Sequence, residues 1–295
     1  MKIKGLSKVL IVMLLSTVLF LSGCGLGDDN KEGGISIGGG SSSGGSGGVE
    51  LSFAEKNPSS EMLVGESQTF AFVFRNNQNH KVDDLVIKAK GFDYSYVKGL
   101  DSYKDSGSVD EIPRATVQSG AGVYDGLKVD VTVEGFGDRE YNFNPTFDYC
   151  YTAETTFSEE VCVPSKDNIC DTKITKSKEQ NGPLTVNVDR ITPTGDEIRI
   201  DFSITDSGKG QIVNECFNDE DHSNAYNNLE VKLGTNTGTC EAPSGEKIIN
   251  KKSYFNCKFP RGSSDSYSSQ VQVSFDYYYQ QSIKKNIVVK DLDKN

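Results

Sequence analysis

Gln68-Thr69-Phe70-Ala71-Phe72-Val73-Phe74-Arg75 is a stretch in which large apolar side chains recur at every second position. A period of two residues places Phe70, Phe72 and Phe74 on one face of an extended strand, as in a half-buried β-sheet. Turn-forming pairs such as Asn-Asn, Ser-Gly and Gly-Asp separate segments of this kind. The longer period of an amphipathic helix does not recur along the chain, so the sequence predicts an all-β protein. The other alternating segments are 85–89, 127–133, 198–204 and 229–233.

The second half of the chain repeats the first. Phe-Asp-Tyr-Cys-Tyr at 147–151 returns as Phe-Asp-Tyr-Tyr-Tyr at 275–279, and alternating segments match in the same order around each copy. We therefore predict two tandem antiparallel β-sandwiches, at residues 49–165 and 183–292, with a linker at 166–182. The further matched segments are 72–77 with 202–207, 129–133 with 255–259, and 161–163 with 287–289.

The N-terminus has the three parts of a secretory signal. A basic start with three lysines precedes a largely apolar run over 9–21, and small residues follow it. A membrane-spanning helix needs roughly 20 apolar residues, so this run is too short to span a bilayer comfortably. The run closes in Leu21-Ser22-Gly23-Cys24, which resembles the lipobox of prokaryotic lipoproteins. The resemblance implies that the signal peptide 1–23 is removed and that Cys24 carries a lipid. An ordinary cleaved signal with a chance cysteine is the alternative.

Residues 24–48 are predicted to form a flexible tether behind that lipidated cysteine. The segment 33–48 holds nine glycines and five serines, with two isoleucines as its only apolar residues. Such a composition does not bury enough surface to fold, and it behaves as a coil. A lipid and a flexible tether would display the folded part on the extracellular face of the cell membrane.

The overall charge bounds the partners. The chain has 31 basic and 42 acidic residues, a formal net charge of −11. An acidic balance argues against a nucleic-acid partner and against electrostatic docking on anionic lipid, since both need basic patches. We therefore expect the membrane contact to be made by the lipid on Cys24 alone.

The cysteine count suggests disulfides. Seven cysteines occur, and six remain once Cys24 is assigned to the lipid, which in an exported chain favours three bridges. If 147–151 and 161–163 form a hairpin, alternation places Cys150 and Cys162 on the same face of facing strands. We therefore predict a Cys150–Cys162 disulfide.

The remaining four cysteines allow more than one arrangement. A Cys240–Cys257 bridge would close the excursion at 242–253. A Cys170–Cys216 bridge would then fasten the interdomain segment to the second sandwich. Swapped partners among these four remain open at this point.

A family resemblance follows from two short motifs. Val64-Gly65-Glu66 ahead of the alternating strand, and the polar turn Arg75-Asn76-Asn77 after it, resemble the start of immunoglobulin-like domains of the CARDB type. The combination of lipobox, tether and disulfide-stapled tandem β domains resembles uncharacterised archaeal surface lipoproteins. The resemblance implies immunoglobulin-like sandwiches used in adhesion, assembly or scaffolding, and it transfers no catalytic residues. The chain departs from antibody domains because it contains no tryptophan.

Candidate catalytic and metal-binding residues are few. The chain has two histidines, of which His80 lies in a polar turn and is read as a solvated loop residue. His222 follows an acidic cluster whose Asp219, Glu220 and Asp221 could supply oxygen ligands to Ca²⁺. A solvated acidic loop is the alternative reading of that cluster. HExxH, a phosphate-binding glycine loop and a zinc-type cysteine pair are all missing from the sequence.

The tyrosines at 277–279 are the remaining candidates for a ligand contact. The repeat predicts that Tyr277 and Tyr279 lie in the core, which leaves Tyr278 as a surface group able to stack on a sugar.

These observations predict a non-enzymatic, lipid-anchored protein on the extracellular face of the membrane. Its sandwiches would contact a cell-envelope or extracellular protein in adhesion or envelope assembly, without a cofactor other than the Ca²⁺ considered above. An extracellular module that binds a glycan or Ca²⁺ is the alternative function.

Overall fold

The computed structural model describes residues 47–105, 107–116, 120–135, 137, 139–165, 178–217, 226–242, 248, 251–263 and 265–293. The predicted signal peptide, Cys24 and nearly all of the tether lie outside these residues. So do Cys170, His222 and the acidic cluster at 219–221.

The described residues form 20 strands and one 3₁₀ turn at Asp101–Tyr103, with no α-helix among them. The prediction of an all-β protein is thereby confirmed. None of the described residues belongs to a helix long and apolar enough to cross a bilayer. In chain order the strands are β1 Val49–Phe53, β2 Glu61–Leu63, β3 Ser67–Asn76, β4 Val86–Lys90, β5 Val97–Lys98, β6 Gly107–Ser108, β7 Gly122–Tyr124, β8 Lys128–Val133, β9 Glu140–Phe143, β10 Thr146–Val163, β11 Lys178–Asn181, β12 Leu184–Thr194, β13 Glu197–Asp206, β14 Gln211–Val213, β15 Asn227–Leu233, β16 Asn236–Thr237, β17 Thr239–Glu241, β18 Lys252–Pro260, β19 Tyr267–Lys284 and β20 Ile287–Lys290.

Two 18-residue strands, β10 and β19, run antiparallel and pair along their whole length. They form the middle of an eight-stranded sheet, called here the central sheet, in the order β16-β15-β19-β10-β4-β6. Strand β11 adds to β10, and β14 adds to β19. Strands β4, β6 and β10 come from the first half of the chain and β14, β15, β16 and β19 from the second. Both halves therefore build one sheet.

Two smaller sheets pack on one face of the central sheet. The first outer sheet has the order β1-β3-β8-β5, with β7 also on β3, and the second has the order β12-β13-β18-β17. The matched segments of the repeat occupy equivalent places in these sheets: β3 pairs with β8 in the first, and β13 pairs with β18 in the second. Phe72 of the first outer sheet packs against Phe147 of β10, with ring centroids 4.9 Å apart. Strand β12 of the second outer sheet also contacts β10.

The last strand of the chain returns to the first half. Strand β20 pairs in parallel with β2 and antiparallel with β9, in a three-stranded sheet. All described residues belong to one compact unit. Strands of 49–165 and of 183–292 share the central sheet, so the two segments form one body and not the two separate sandwiches expected from the repeat. Because β20 lies in that small sheet, 287–289 is also not the equivalent of 161–163.

The predicted hairpin at 147–163 is wrong, because β10 is one continuous strand. Cys150 and Cys162 are 12 residues apart on this strand. At the rise of a β-strand their Cα atoms are roughly 40 Å apart. The Cys150–Cys162 disulfide is therefore wrong too. Cys150 is bonded instead to Cys216, with Cα atoms 5.6 Å apart, and this also excludes the expected Cys170–Cys216 bridge.

The Cys240–Cys257 bridge is present as predicted, with Cα atoms 4.0 Å apart. It joins directly opposed residues of β17 and β18. Cys162 is also disulfide-bonded. The segment 214–217, which contains Cys216, lies against the central sheet, where Phe217 N donates to Gln280 Oε1 at 3.4 Å. The Cys150–Cys216 bridge fastens that segment in place.

Candidate functional site

The two faces of β10 and β19 differ in character. Odd-numbered residues point toward the outer sheets and are mostly buried, and the even-numbered residues form what we call the outer face. At one end the outer-face residues Cys150 and Asp148 are buried. Cys150 is bonded there to Cys216, and Asp148 contacts Lys90 and Ser282. At the other end the side chains from Thr152 to Cys162 are partly exposed. Two surfaces on this framework have the shape of binding sites, one on each side of the central sheet.

The first surface is a groove of about 500 Å³ in the open part of the outer face. Strands β11, β10, β19 and β15 form its floor, and we call it the outer groove. The cross-strand pair Ser158 and Gln272 lies near its middle. Its polar lining residues are Asn79, Thr156, Ser158, Glu179, Gln180, Asn181, Glu230, Lys232, Gln272 and Ser274.

Polar contacts within and between strands hold side chains of the outer groove. Gln270 Nε2 donates to Ser158 Oγ at 2.7 Å, and Gln272 Nε2 donates to Gln270 Oε1 at 3.3 Å. Lys232 Nζ lies 2.8 Å from Glu230 Oε1, which pairs the charge of that lysine. The groove therefore offers amides, hydroxyls and carboxylates held by rigid strands.

An acidic pair lies next to the outer groove. Glu154 of β10 stands directly opposite Asp276 of β19, and like charges in this position repel each other. Each carboxylate has a polar neighbour: His80 Nδ1 lies 3.3 Å from Glu154 Oε2, and Asn228 Nδ2 donates to Asp276 Oδ2 at 3.1 Å. His80, read from the sequence as a solvated loop residue, is thus held beside Glu154. Within the described ranges, no three His, Cys, Asp or Glu side chains gather closely enough to hold a metal ion.

The predicted tyrosine pattern is confirmed. Tyr277 and Tyr279 are 1% and 0% exposed, respectively. Tyr278 is partly exposed on the outer face opposite Thr152. It is thus placed where a ligand on that face could reach it.

The second surface is a cleft of about 520 Å³ on the inner side of the central sheet. It lies between β1, the turn after β13 and the last residues of β19, and we call it the inner cleft. Tyr149 and Gln281 line it from the central sheet, and Arg75 and Lys209 line its sides. Sequence reasoning missed this site, because Arg75 was considered only as part of a turn.

Tyrosine hydroxyls of β10 bind the backbone of β1 beside the inner cleft. The Val49 N–H donates to Tyr151 Oη at 2.9 Å, and the Leu51 N–H donates to Tyr149 Oη at 3.3 Å. Tyr149 Oη also lies 3.2 Å from the Val49 carbonyl and 2.9 Å from Gln281 Oε1. Burial raises the pKa of both Tyr149 and Tyr151, so the hydroxyls stay neutral at physiological pH.

A similar contact forms on the side of the second outer sheet. Tyr279 Oη donates to Asp206 Oδ1 at 3.1 Å and accepts from Gly210 N at 3.1 Å. Burial raises the pKa of the Asp206 carboxyl and that of Tyr279. A Cβ atom on Gly208 would lie 1.9 Å from Tyr279 Oη, so only glycine fits at that position.

The other predicted site residues cannot be placed by geometry. Cys24 and the proposed calcium ligands Asp219, Glu220 and Asp221 lie outside the described residues, as does Cys170. Their roles stay predictions.

Comparison with known families and with curated proteins found no match. Among solved structures, the Salmonella enterica SafA pilin in complex with the SafB chaperone is similar at 11% sequence identity. The match covers 74% of this chain and 86% of that chain, with a TM-score of 0.15. A TM-score this low does not indicate a shared fold or a shared function.

Proposed function

We propose that this protein is a non-enzymatic surface protein, held by a lipid on Cys24 at the extracellular face of the cell membrane. Its role is to contact another protein of the cell envelope in adhesion or envelope assembly. The outer groove is the observation that carries the contact role. The signal segment and lipobox-like motif support the location.

The chemistry of the outer groove suits a protein partner. Interfaces between proteins that also exist alone are about as polar as the rest of a protein surface. Ser158, Gln270 and Gln272 are already hydrogen-bonded to one another, so little side-chain freedom is lost when a partner binds. A surface built on paired strands also keeps its shape on binding.

The tether expected from the composition of 25–48 would give this surface reach. A flexible coil of that length would have a root-mean-square span of roughly 25–30 Å. It would hold the sheets away from the lipid and leave the outer groove free to turn toward a partner in the same envelope.

A glycan is the second candidate ligand, and a specific observation favours it. Asn181, Ser274 and Gln272 present amide and hydroxyl groups of the kind that hydrogen-bond sugar hydroxyls, and Tyr278 lies on the same face. Ca²⁺ bound at Asp219, Glu220 and Asp221 belongs to the same alternative.

The test uses full-length lipidated protein in liposomes, incubated with envelopes from producing cells that lack it. Gln272→Arg places a long cation in the outer groove, and Gln211→Arg is the matched control. Gln211 is exposed on β14 opposite Gln280, roughly 25 Å along β19 from Gln272 by strand rise. We expect Gln272→Arg to weaken envelope binding at least about tenfold, and Gln211→Arg to leave it within about twofold.

Treatment of the envelopes separates the two candidates. Loss of binding after protease treatment supports a protein partner, and loss after periodate oxidation supports a glycan. No binding by the wild-type protein, or equal effects of the two substitutions, would refute the proposal for this surface.

A further inference from the structure

The inner cleft has a strand edge along one wall. Strand β1 is the last strand of the first outer sheet, and among the described strands it pairs with β3 alone. Asn77 N donates to the Gly48 carbonyl, and Ala54 N donates to the Ala71 carbonyl. In an antiparallel pair every second residue is hydrogen-bonded to the partner strand, so the even-numbered residues of β1 are the ones bonded to β3. The backbone groups of Val49, Leu51 and Phe53 therefore point away from β3 and toward the free edge.

Only part of this edge is satisfied by the tyrosines. The Val49 N–H and carbonyl and the Leu51 N–H have the tyrosine partners described above. Among the described residues, the Leu51 carbonyl and the Phe53 N–H and carbonyl have no such partner. Unpaired backbone groups on an exposed edge are a template for pairing with another extended chain.

The charges of the inner cleft contrast with those of the whole protein. Arg75 and Lys209 line the cleft, and neither side chain forms an ion pair or hydrogen bond with a described residue. Glu50 is the acidic lining residue, and it stands opposite Arg75 in the strand register. With two cations and one acid, the lining carries a net charge of +1 in a chain of net charge −11, and Lys209 is the cation that has no acidic neighbour in the register. This balance favours an anionic ligand.

The size and shape of the cleft fit a short segment of extended chain. Its volume of about 520 Å³ lies in the usual range of ligand sites, roughly 300–1,000 Å³. The rings of Tyr149 and Tyr279 are 2% and 0% exposed and offer no face for a sugar to stack on. Backbone pairing, in contrast, is specific to a polypeptide.

We propose that the inner cleft binds an extended, carboxylate-bearing polypeptide segment that pairs with β1 at Leu51, which lines the cleft, and continues along the edge to Phe53, the last residue of β1. Arg75 and Lys209 contact its carboxylates, and main-chain hydrogen bonds supply sequence-independent affinity. The inference rests on the proposed function only in that the protein acts by contacting other polypeptides. It uses a different surface, on the opposite side of the central sheet from the outer groove.

The test uses the full chain and a fluorescent synthetic peptide in which valine or threonine alternates with glutamate. Three further probes are the same peptide with lysine at each glutamate, the glutamate peptide N-methylated at alternate amides, and an oligogalacturonate. We expect the glutamate peptide to bind in fluorescence anisotropy at low salt, and the lysine and N-methylated peptides to bind at least about tenfold more weakly.

Charge reversal identifies the surface. Lys209→Glu is expected to weaken binding of the glutamate peptide at least about tenfold, and Lys128→Glu to change it less than about twofold. Lys128 is an exposed cation on β8, two strands away from β1 in the same sheet. The Phe53 amide should become protected from hydrogen exchange when the peptide binds.

Four results would overturn the inference: no binding of the glutamate peptide at millimolar concentration, equal binding of the lysine peptide, no effect of Lys209→Glu, or insensitivity to N-methylation. Oligogalacturonate binding that matches the peptide would identify a general anion site and would also overturn it. Because the outer groove is tested with Gln272→Arg on envelopes, failure here leaves that result unaffected.

Discussion

Removal of one hydroxyl, in Tyr151→Phe, tests how β1 is held to the central sheet. Tyr151 and Val49 are both fully buried, and the Val49 N–H donates to Tyr151 Oη at 2.9 Å. In the variant this amide is left buried without its partner, which costs about 1–3 kcal/mol of unfolding free energy. A structure of this size loses about 2–4 °C in Tm per kcal/mol, so we expect a fall of about 5 °C.

The measurement is urea unfolding with the disulfides intact, and Tyr96→Phe is the control. Tyr96 is 43% exposed, so its substitution should stay within about 0.5 kcal/mol of wild type. Hydrogen exchange at the Val49 amide should accelerate in Tyr151→Phe, because this amide loses its acceptor. Equal stability of the two variants, with unchanged exchange at Val49, would refute the view that the hydroxyl holds β1.

The same tyrosine gives a pH dependence of known sign. Burial raises the pKa of Tyr151 above its ordinary value, so the folded state favours the neutral phenol. This stability is fully present below the unfolded-state pKa of about 10 and is lost as the pH rises above it. Alkaline destabilisation should therefore be smaller in Tyr151→Phe than in the wild-type protein.

Two further predictions concern bridges and a buried acid. The Cys150–Cys216 bridge closes a loop of 66 residues and the Cys240–Cys257 bridge a loop of 17. Replacing both cysteines of a bridge by alanine should therefore lower the free energy of unfolding in urea by about 4 kcal/mol for the first bridge and about 3 kcal/mol for the second, and the reverse order would contradict this. A Cys150–Cys162 peptide in a non-reducing digest would contradict the connectivity. Burial raises the pKa of Asp206, so its stabilising neutral form is lost as pH rises through the folded-state pKa. Asp206→Asn should therefore be more stable than wild type at pH 7 and converge with it in acid, and unfolding curves that stay parallel across that range would argue against the assignment.

Alternation in the sequence was enough to predict β3, β8 and β13 of the outer sheets, and the repeat added β18. Phe70, Phe72 and Phe74 are all buried on one face of β3, as their spacing indicates. The equivalence of β3 with β13 and of β8 with β18 was also available from the repeat. In these strands the local pattern and the final environment agree, because one face packs on the core and the other meets solvent.

The length of β10 could not be judged from that pattern alone. The sequence predicts two strands of a hairpin at 147–151 and 161–163, in keeping with a typical strand length of about 5–6 residues. The odd positions nonetheless keep their burial through Ala153, Thr155, Phe157 and Val161. Thr155 and Glu159 interrupt the apolar alternation in the sequence, so their burial in one continuous strand is visible only in the structure.

Neither binding surface could be derived from the sequence, because both depend on which distant strands pair. Tyr151 lies opposite Tyr279, which is 128 residues later in the chain. The outer groove exists only because β11 and β15 flank this pair, and the inner cleft only because β1 ends beside β19. Long-range pairing of this kind leaves no local signal in a period of two residues.

The alternation of β10 and β19 assigns the two surfaces to opposite faces of one strand pair. Even positions such as Ser158 and Gln272 face the outer groove, and odd positions such as Tyr149 and Tyr151 face the inner cleft and hold β1. For a chain anchored through Cys24, as proposed, a pull from the membrane would reach β1 before any other described strand. The ladder to β3 on one edge and the tyrosine hydroxyls on the other resist that pull together. A partner that pairs with the open part of the β1 edge would add a third set of bonds to the same strand, so binding at the inner cleft and resistance to the pull should reinforce each other.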